Sequence, residues 1–154
     1  VKWHTVNTPT VNDLFGITFG NGLFVVVGDS GTILTSPDGV EWTQEVTTVP
    51  ANSIQSVSYG QGLFVAVGSL GLILNSTDGK TWNDASLSIP FGLQSVIFVE
   101  PDFLAVGKDG TILNSYDGFH WIPEYSDTQN NLYGVTYSGS YVACGDYGTI
   151  LQTS

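Results

Sequence analysis

Short apolar runs separated by glycine-bearing turns follow one another along the whole chain. The run 23–27 is apolar at every position, and 63–67 repeats it. A strand that is apolar on both faces is typical of a sheet covered on both sides. The stretch before the first run alternates instead, with Ile17 and Phe19 on one face and Gly16 on the other. This pattern predicts β-strands, since no window shows a convincing helical period.

The chain repeats itself about every forty residues, which is the range of propeller blades. Its tryptophans are spaced 39, 40 and 39 residues apart, at Trp3, Trp42, Trp82 and Trp121. The segment GTILTSPDGVEW from Gly31 returns as GLILNSTDGKTW from Gly71 and as GTILNSYDGFHW from Gly110. A fourth copy begins at Gly148 as GTILQTS, and its turn serine is assigned to Ser154.

Each repeat predicts four short strands, A to D. Strand A is expected at 15–19, 55–59, 94–98 and 133–137, and strand B at 23–27, 63–67, 102–106 and 141–144. Strand C covers 32–36, and strand D lies around Trp42. Small residues on one face of strand A suit an innermost strand at a crowded axis. The fold class is therefore all-β, a β-propeller of four four-stranded blades with a repeat of 39–40 residues.

The blades are expected as parts of a single domain, 1–154, at 14–46, 54–86, 93–125 and 132–154 plus 1–6. The N-terminal strand 1–6 would thus complete the last blade and leave no exposed sheet edge. The simplest form is a monomeric ring that closes itself. Exchange of residues 1–6 between chains would give an eight-bladed dimer or an open array. A third alternative makes the chain a piece of a longer propeller.

The charge of the chain restricts its partners. Fourteen acidic residues against three lysines and no arginine give a net charge of −11. Such a chain repels phosphate backbones, so nucleic acid and anionic membrane surfaces are poor partners. No apolar run approaches the ~20 residues of a membrane span.

The sulfur-containing residues add little chemistry. Cys144 is alone, so an internal disulfide is excluded, and it aligns with the apolar positions Val27, Val67 and Val106. It is therefore expected to be a small buried hydrophobe. Methionine is absent even at position 1, so the sequence is expected to be a processed or excised piece.

The turn Ser-x-Asp-Gly-x-x-Trp resembles a shortened Asp-box of BNR and sialidase-type propellers. The wider unit GNGLFVVVGDSGTILTSPDGVEW is similar to repeats of the Ycf48/Hcf136-like photosystem II assembly factors and of bacterial secreted propellers. This resemblance implies a β-propeller and favours an extracytoplasmic or secreted location. It also implies that the box is a structural hairpin, formed here by Ser36, Asp38 and Trp42; Ser76, Asp78 and Trp82; and Ser115, Asp117 and Trp121.

The residues argue against an enzyme. Sialidases hold the substrate carboxylate with arginines, and this chain has none. A glycan hydrolase of another kind needs two converging carboxylates, which fourteen acids provide by chance. His4 and His120 are too few and too peripheral for a metal cage or a triad. No catalytic residue, metal or cofactor is therefore expected.

A binding surface remains as the expected function. Loops between strands D and A and turns between strands B and C should share one face of the disc, and there the copies differ most. We call this the loop face. Its candidate ligand-binding residues are Phe15, Asp29, Gln55, Gln94, Lys108, Tyr133, Asp146 and Tyr147.

The expected function is therefore a non-enzymatic binding or assembly scaffold for a protein or glycan partner. Two alternatives stay open, a structural repeat module of a surface or filament assembly and a glycan hydrolase.

Overall fold

The computed structural model describes residues 1–47 and 52–154 and confirms an all-β chain folded into four propeller blades. Blade 1 contains β1 (Leu14–Gly20), β2 (Leu23–Gly28), β3 (Ile33–Ser36) and β4 (Thr43–Gln44). Blade 2 contains β5 (Ile54–Gly60), β6 (Leu63–Gly68), β7 (Ile73–Ser76) and β8 (Asn83–Asp84). Blade 3 contains β9 (Leu93–Val99), β10 (Asp102–Gly107), β11 (Ile112–Ser115) and β12 (Ile122–Glu124). Blade 4 contains β13 (Leu132–Tyr137), β14 (Tyr141–Gly145) and β15 (Ile150–Gln152).

Within each blade the strands pair with their sequence neighbours in antiparallel order. The predicted strands A, B and C match the observed ones to within one or two residues at each end. In blades 1, 2 and 4 a single 3-10 turn joins the second strand to the third, at Asp29–Gly31, Ser69–Gly71 and Asp146–Gly148. The meander follows from tight turns that glycine permits and from β-branched runs between them.

The first strand of each blade lies at the centre, where it contacts the first strand of the next blade. A Cβ added to Gly16 would lie 3.1 Å from the Cα of Ser56, so the two inner strands approach each other closely. The Tyr59 ring packs against Gly20 at a position where a Cβ would lie 2.1 Å from the ring carbon. The prediction that the strand with small residues on one face is the innermost strand of the blade is confirmed.

The core consists of layers between successive blades. We call the side of a blade that packs on the next blade its trailing face, and the opposite side its leading face. The trailing face of blade 1 places Val25 and Val27 against Ile54 and Val57 on the leading face of blade 2. Blades 2 and 3 form an equivalent cluster, and a smaller one lies between blades 3 and 4. Apolar burial therefore stabilises blades 2 and 3 on both sides, and blades 1 and 4 on one side each.

The N-terminal strand does not complete the last blade, which corrects the prediction from the sequence. The fourth sheet has three strands, and residues 1–6 form no strand. Trp3 is 91% exposed. The segment that follows is bound to blade 1, where Asn12 Nδ2 donates to Thr32 Oγ1 at 2.9 Å. Among the described strands, those of blade 1 do not pack on those of blade 4 as neighbouring blades do.

Two smaller predictions were also wrong. Thr153 pairs with Tyr141 as Ser36 pairs with Phe24, so Thr153 and not Ser154 has the register of the turn serine. The hairpin between β13 and β14 is one residue shorter than the hairpin between β1 and β2, which explains the one-residue error in the predicted position. Cys144 is exposed, although Val27 at the same position is buried. The reason is that Cys144 lies on the trailing face of the last blade, which no further blade covers.

Candidate functional site

The loop face has one irregular residue at the start of every inner strand. The pairing of inner and second strands shifts between Leu14 and Gly16, and it shifts at the same place in the other three blades. The residues at these bulges are four of the predicted site residues, Phe15, Gln55, Gln94 and Tyr133. A bulge re-aims the side chain of its extra residue. About half of the Phe15 and Tyr133 surfaces is exposed there.

The tips of the four turns on this face adopt a left-handed backbone. Their φ angles are 54°, 57°, 56° and 54°, at Ser30, Leu70, Asp109 and Tyr147. A left-handed residue other than glycine is uncommon, and for a bulky side chain it costs about 1–3 kcal/mol. The conformation directs the apolar side chain of Leu70 and the ring of Tyr147 into solvent, and Tyr147 is 94% exposed. The loop face therefore carries strained, exposed groups.

The polar residues of the loop face are held by hydrogen bonds. Asp146 Oδ1 accepts from the Tyr133 hydroxyl at 2.9 Å, and Asp146 Oδ2 accepts from Asn131 Nδ2 at 2.9 Å. The bond to Asp146 raises the pKa of Tyr133, because losing the proton would leave two negative groups in contact. Asp29 accepts from the Ser53 hydroxyl of the next blade, which lowers the pKa of Asp29.

The structure thus brings together only two of the eight predicted residues by a side-chain hydrogen bond, Tyr133 and Asp146. The backbone N–H of Lys108 donates to Gly92 at 2.9 Å, and its carbonyl accepts from the Thr111 hydroxyl at 2.7 Å. Among the described residues, no side-chain hydrogen bond joins any other two of the eight. The other predicted residues are distributed one or two to a blade around the central axis.

Leu70 was not among the residues that the sequence singled out. Its exposed apolar side chain lies at the tip of the blade 2 turn, at the position that Tyr147 has in blade 4. The pattern Gly-x-x-Gly at 68–71 was the available signal. A large apolar residue between two turn glycines is expected to point outward.

The Ser-x-Asp-Gly turns lie on the opposite face of the disc. Asp78 Oδ1 accepts from the backbone N–H groups of Lys80 at 2.8 Å and Thr81 at 2.7 Å. These bonds stabilise the carboxylate and lower the pKa of Asp78 from 3.8 to about 2. Trp82 Nε1 donates to the Gly79 carbonyl at 3.0 Å. Blades 1 and 3 repeat these bonds.

The two histidines lie in different parts of the molecule. His120 Nδ1 lies 2.7 Å from Asp117 Oδ2 at the blade 3 turn, and this contact holds the pKa of Asp117 well below its usual range. His4 lies in the exposed N-terminal segment. In residues 1–47 and 52–154, no three His, Cys, Asp or Glu side chains come together as a metal site would require.

A cavity of about 580 Å³ lies between blades 3 and 4. Its apolar wall includes Leu104 and Ile112 from blade 3 and Tyr141, Ala143 and Leu151 from blade 4. It occupies the place where the fourth strand of a complete blade would lie. The cavity is thus a gap in the blade structure and not part of the loop face. The described part of the chain has no helix with the length and apolar character needed to cross a membrane.

No protein-family model matches the chain, and no curated protein matches its sequence. Solved structures do match. YCF48 from Cyanidioschyzon merolae is 22% identical with a TM-score of 0.82, over 100% of this chain and 57% of that one. YCF48 bound to D1 peptide is 19% identical with a TM-score of 0.79, over 96% of this chain and 53% of that one.

An enzyme has a similar fold. A catalytically inactive virginiamycin B lyase from Staphylococcus aureus is 12% identical with a TM-score of 0.77, over 94% of this chain and 57% of that one. The chain therefore spans little more than half the length of these propellers. At such identities the likeness shows the propeller fold and not an activity.

Proposed function

We propose that this chain is a non-enzymatic binding and assembly scaffold that presents its loop face to a protein or glycan partner, with an extended peptide segment as the expected ligand. The observation that carries the proposal is the repeated bulge at the start of the inner strands. It lies at Phe15 and Tyr133 on the loop face, which also carries the exposed turn tips Leu70 and Tyr147. Aromatic anchors next to amide groups are typical of peptide-binding surfaces.

A peptide is the favoured partner for two reasons. Gln55 and Gln94 stand at the equivalent bulges of blades 2 and 3, and each amide can both donate to and accept from a peptide backbone. In addition, YCF48 has been solved with a peptide bound. The net charge of −11 makes a neutral or basic segment the better fit.

Catalysis does not enter the proposal. The pKa of Asp29 is lowered, which makes it a poor general acid or base near neutral pH. Asp146 is occupied by the Tyr133 hydroxyl and the Asn131 amide. We propose further that the Ser-x-Asp-Gly turns, including Asp78, support the hairpins of the opposite face. The blades at 14–46, 54–86, 93–125 and 132–154 would then act together as one rigid support.

The test is binding to a displayed library of random peptides and, in parallel, to a glycan array. The variant Phe15→Ala/Tyr147→Ala removes two exposed rings, and we expect it to lose tenfold or more in affinity for any selected peptide. Its matched control is Tyr116→Ala, which removes an exposed ring from the opposite face and should bind normally.

Two outcomes would contradict the proposal. Equal loss of binding in Tyr116→Ala would move the site to the other face. Selection of no peptide and no glycan would leave the chain without a demonstrated binding surface. Binding to glycans alone would support the loop face as the binding surface but exclude a peptide as its ligand.

A further inference from the structure

The leading face of blade 1 is an apolar surface without a neighbour. Ile17 is 64% exposed, whereas Val57 at the same position of blade 2 is 6% exposed. Phe19 and Leu14 are likewise exposed, whereas Ile54, the counterpart of Leu14 in blade 2, is fully buried. These exposed residues are of the same types as those that form the apolar layers between blades. The leading face of blade 1 therefore has the composition of an interface.

The trailing face of blade 4 is its missing counterpart. Ile150 is 72% exposed, although Ile33 at the equivalent position is fully buried against blade 2. Cys144 is exposed where Val27 is buried. The two ends of the blade array are thus the two halves of the junction that recurs three times inside the chain. None of these positions carries a charge that would oppose contact.

The N-terminal segment has the sequence of the strand that blade 4 lacks. Trp3 is followed by His4 and Thr5, as Trp42 is followed by Thr43 and Gln44 of strand β4. In complete blades this strand lies beside the third strand, with Thr43 opposite Thr35. Residues 1–6 form no strand and are all exposed in the folded chain.

The cavity between blades 3 and 4 has the place and character to receive Trp3. At the junction of blades 1 and 2, Trp82 is buried in the cluster that contains Val25, with Leu23 packed beside it. In blade 3, Leu104 is the counterpart of Val25 and lines the cavity of about 580 Å³. This volume exceeds that of an indole side chain.

Backbone hydrogen bonds between blades follow the same repeat. Gly31 N donates to Asn52 O at 2.9 Å between blades 1 and 2, and Gly110 N donates to Asn130 O at 3.0 Å between blades 3 and 4. The equivalent bond between blade 4 and blade 1 would have Gly148 N as its donor and Asn12 O as its acceptor. These two groups lie at opposite ends of the chain.

We propose that a second copy of this chain closes the propeller. Two copies associate head to tail about a two-fold axis, with the leading face of blade 1 in each against the trailing face of blade 4 in the other. Residues 1–6 of each copy become the fourth strand of blade 4 in its partner, and Trp3 fills the cavity. The result is a ring of eight blades, within the usual range for propellers. The repeat register places His4 opposite Gln152 and Thr5 opposite Leu151 of the other copy.

Light scattering tests the association. We expect a mass twice the 16.4 kDa of one chain. Trp3→Ala and Ile17→Glu should each weaken the dimer about 30-fold or more, because a buried anchor contributes at least about 2 kcal/mol. Both side chains are exposed in the single chain, so neither change removes a contact that the isolated fold needs. Tyr116→Ala and Val46→Glu are the matched controls, and they should leave the dimer intact.

Cross-linking tests the strand exchange and its register. In a Cys144→Val background, one chain carries His4→Cys and another carries Gln152→Cys. Mixing and oxidation should give a disulfide-linked heterodimer, and replacing His4→Cys by Lys2→Cys should reduce its yield at least tenfold. A monomer in solution would overturn the proposal, as would polymers of growing length. A link that forms only when both cysteines are in one chain would also overturn it. None of these outcomes bears on peptide binding at the loop face.

Discussion

At the scale of single residues, the most informative groups are the aspartates of the Ser-x-Asp-Gly turns. Asp78 accepts two backbone hydrogen bonds in a turn where Gly79 has a φ of 74°. The charge-assisted bonds stabilise a backbone conformation that the sequence otherwise favours only through glycine. These turns therefore depend on an ionised carboxylate.

The first prediction concerns acid. The folded-state pKa of Asp78 is about 2, below its ordinary value of 3.8. A depressed pKa stabilises the fold fully above about pH 4, and this contribution is lost as the pH falls through about 2. Asp78→Asn should lower the free energy of unfolding by on the order of 1 kcal/mol at pH 7, and the difference from the unmodified chain should shrink between pH 4 and 2.

Urea unfolding at a series of pH values measures this difference. Asp127→Asn is the control, since Asp127 is exposed and forms no hydrogen bond with the described residues. A gap between Asp78→Asn and the unmodified chain that stays constant down to pH 2 would refute the linkage.

At the scale of elements, the turn after the second strand departs from a relaxed backbone in every blade. The same left-handed tip occurs in all four blades with four different residues, Ser30, Leu70, Asp109 and Tyr147. The geometry is therefore imposed by the hydrogen bonds around the turn. In blade 2 these bonds join Ser69 N to Ser53 O at 3.0 Å and Gly68 N to Leu72 O at 2.9 Å.

The second prediction follows from that strain. Leu70→Gly should raise the free energy of unfolding by about 0.5–1 kcal/mol, because glycine adopts the left-handed conformation without a steric penalty but loses more chain entropy on folding. Leu70→Ala keeps the Cβ and should give no such gain. Urea midpoints at an unchanged m-value measure both. A destabilised Leu70→Gly would show that the exposed leucine contributes contacts to the fold.

At the scale of the whole molecule, net charge and exposed apolar area have opposite effects on the association of two copies. Each chain carries a net charge of −11, so two copies repel each other. The proposed contact surfaces, around Ile17 and Ile150, are apolar. Association would therefore be driven by burial and resisted by long-range repulsion, which salt screens over about 8 Å at physiological ionic strength.

The third prediction is the sign of the salt effect. Raising the salt concentration from about 0.02 M to about 0.5 M should tighten dimerisation, because screening removes the repulsion and leaves the apolar contact. Sedimentation at several protein concentrations gives the dissociation constant. The variant Ile17→Glu adds a charge at the contact and should show a steeper dependence. Weaker association at high salt would contradict an apolar interface.

The repeat alone was enough to predict four blades and the order of their strands, although the fourth strand predicted for blade 4 does not form. Tight turns and β-branched runs are local signals, and a segment such as 31–42 repeated at a nearly constant interval leaves little freedom in how the strands pair. The same register predicts the loop face, whereas the bulges at the start of the inner strands are visible only in the structure. The sequence also identified the loop-face residues Tyr133 and Asp146, although not the hydrogen bond between them.

The tertiary structure decided what happens at the two ends of the blade array. Residues 1–6 have the sequence of the missing strand, yet they do not pair with β15. The predicted burial of Cys144 was wrong for the same reason, since its burial depends on whether another blade lies beside it. Strand identity is encoded within each repeat, whereas the curvature of the array depends on the packing of all layers together. No local pattern contains that curvature, so the sequence predicted that residues 1–6 join blade 4 although blades 1 and 4 do not pack together in the structure.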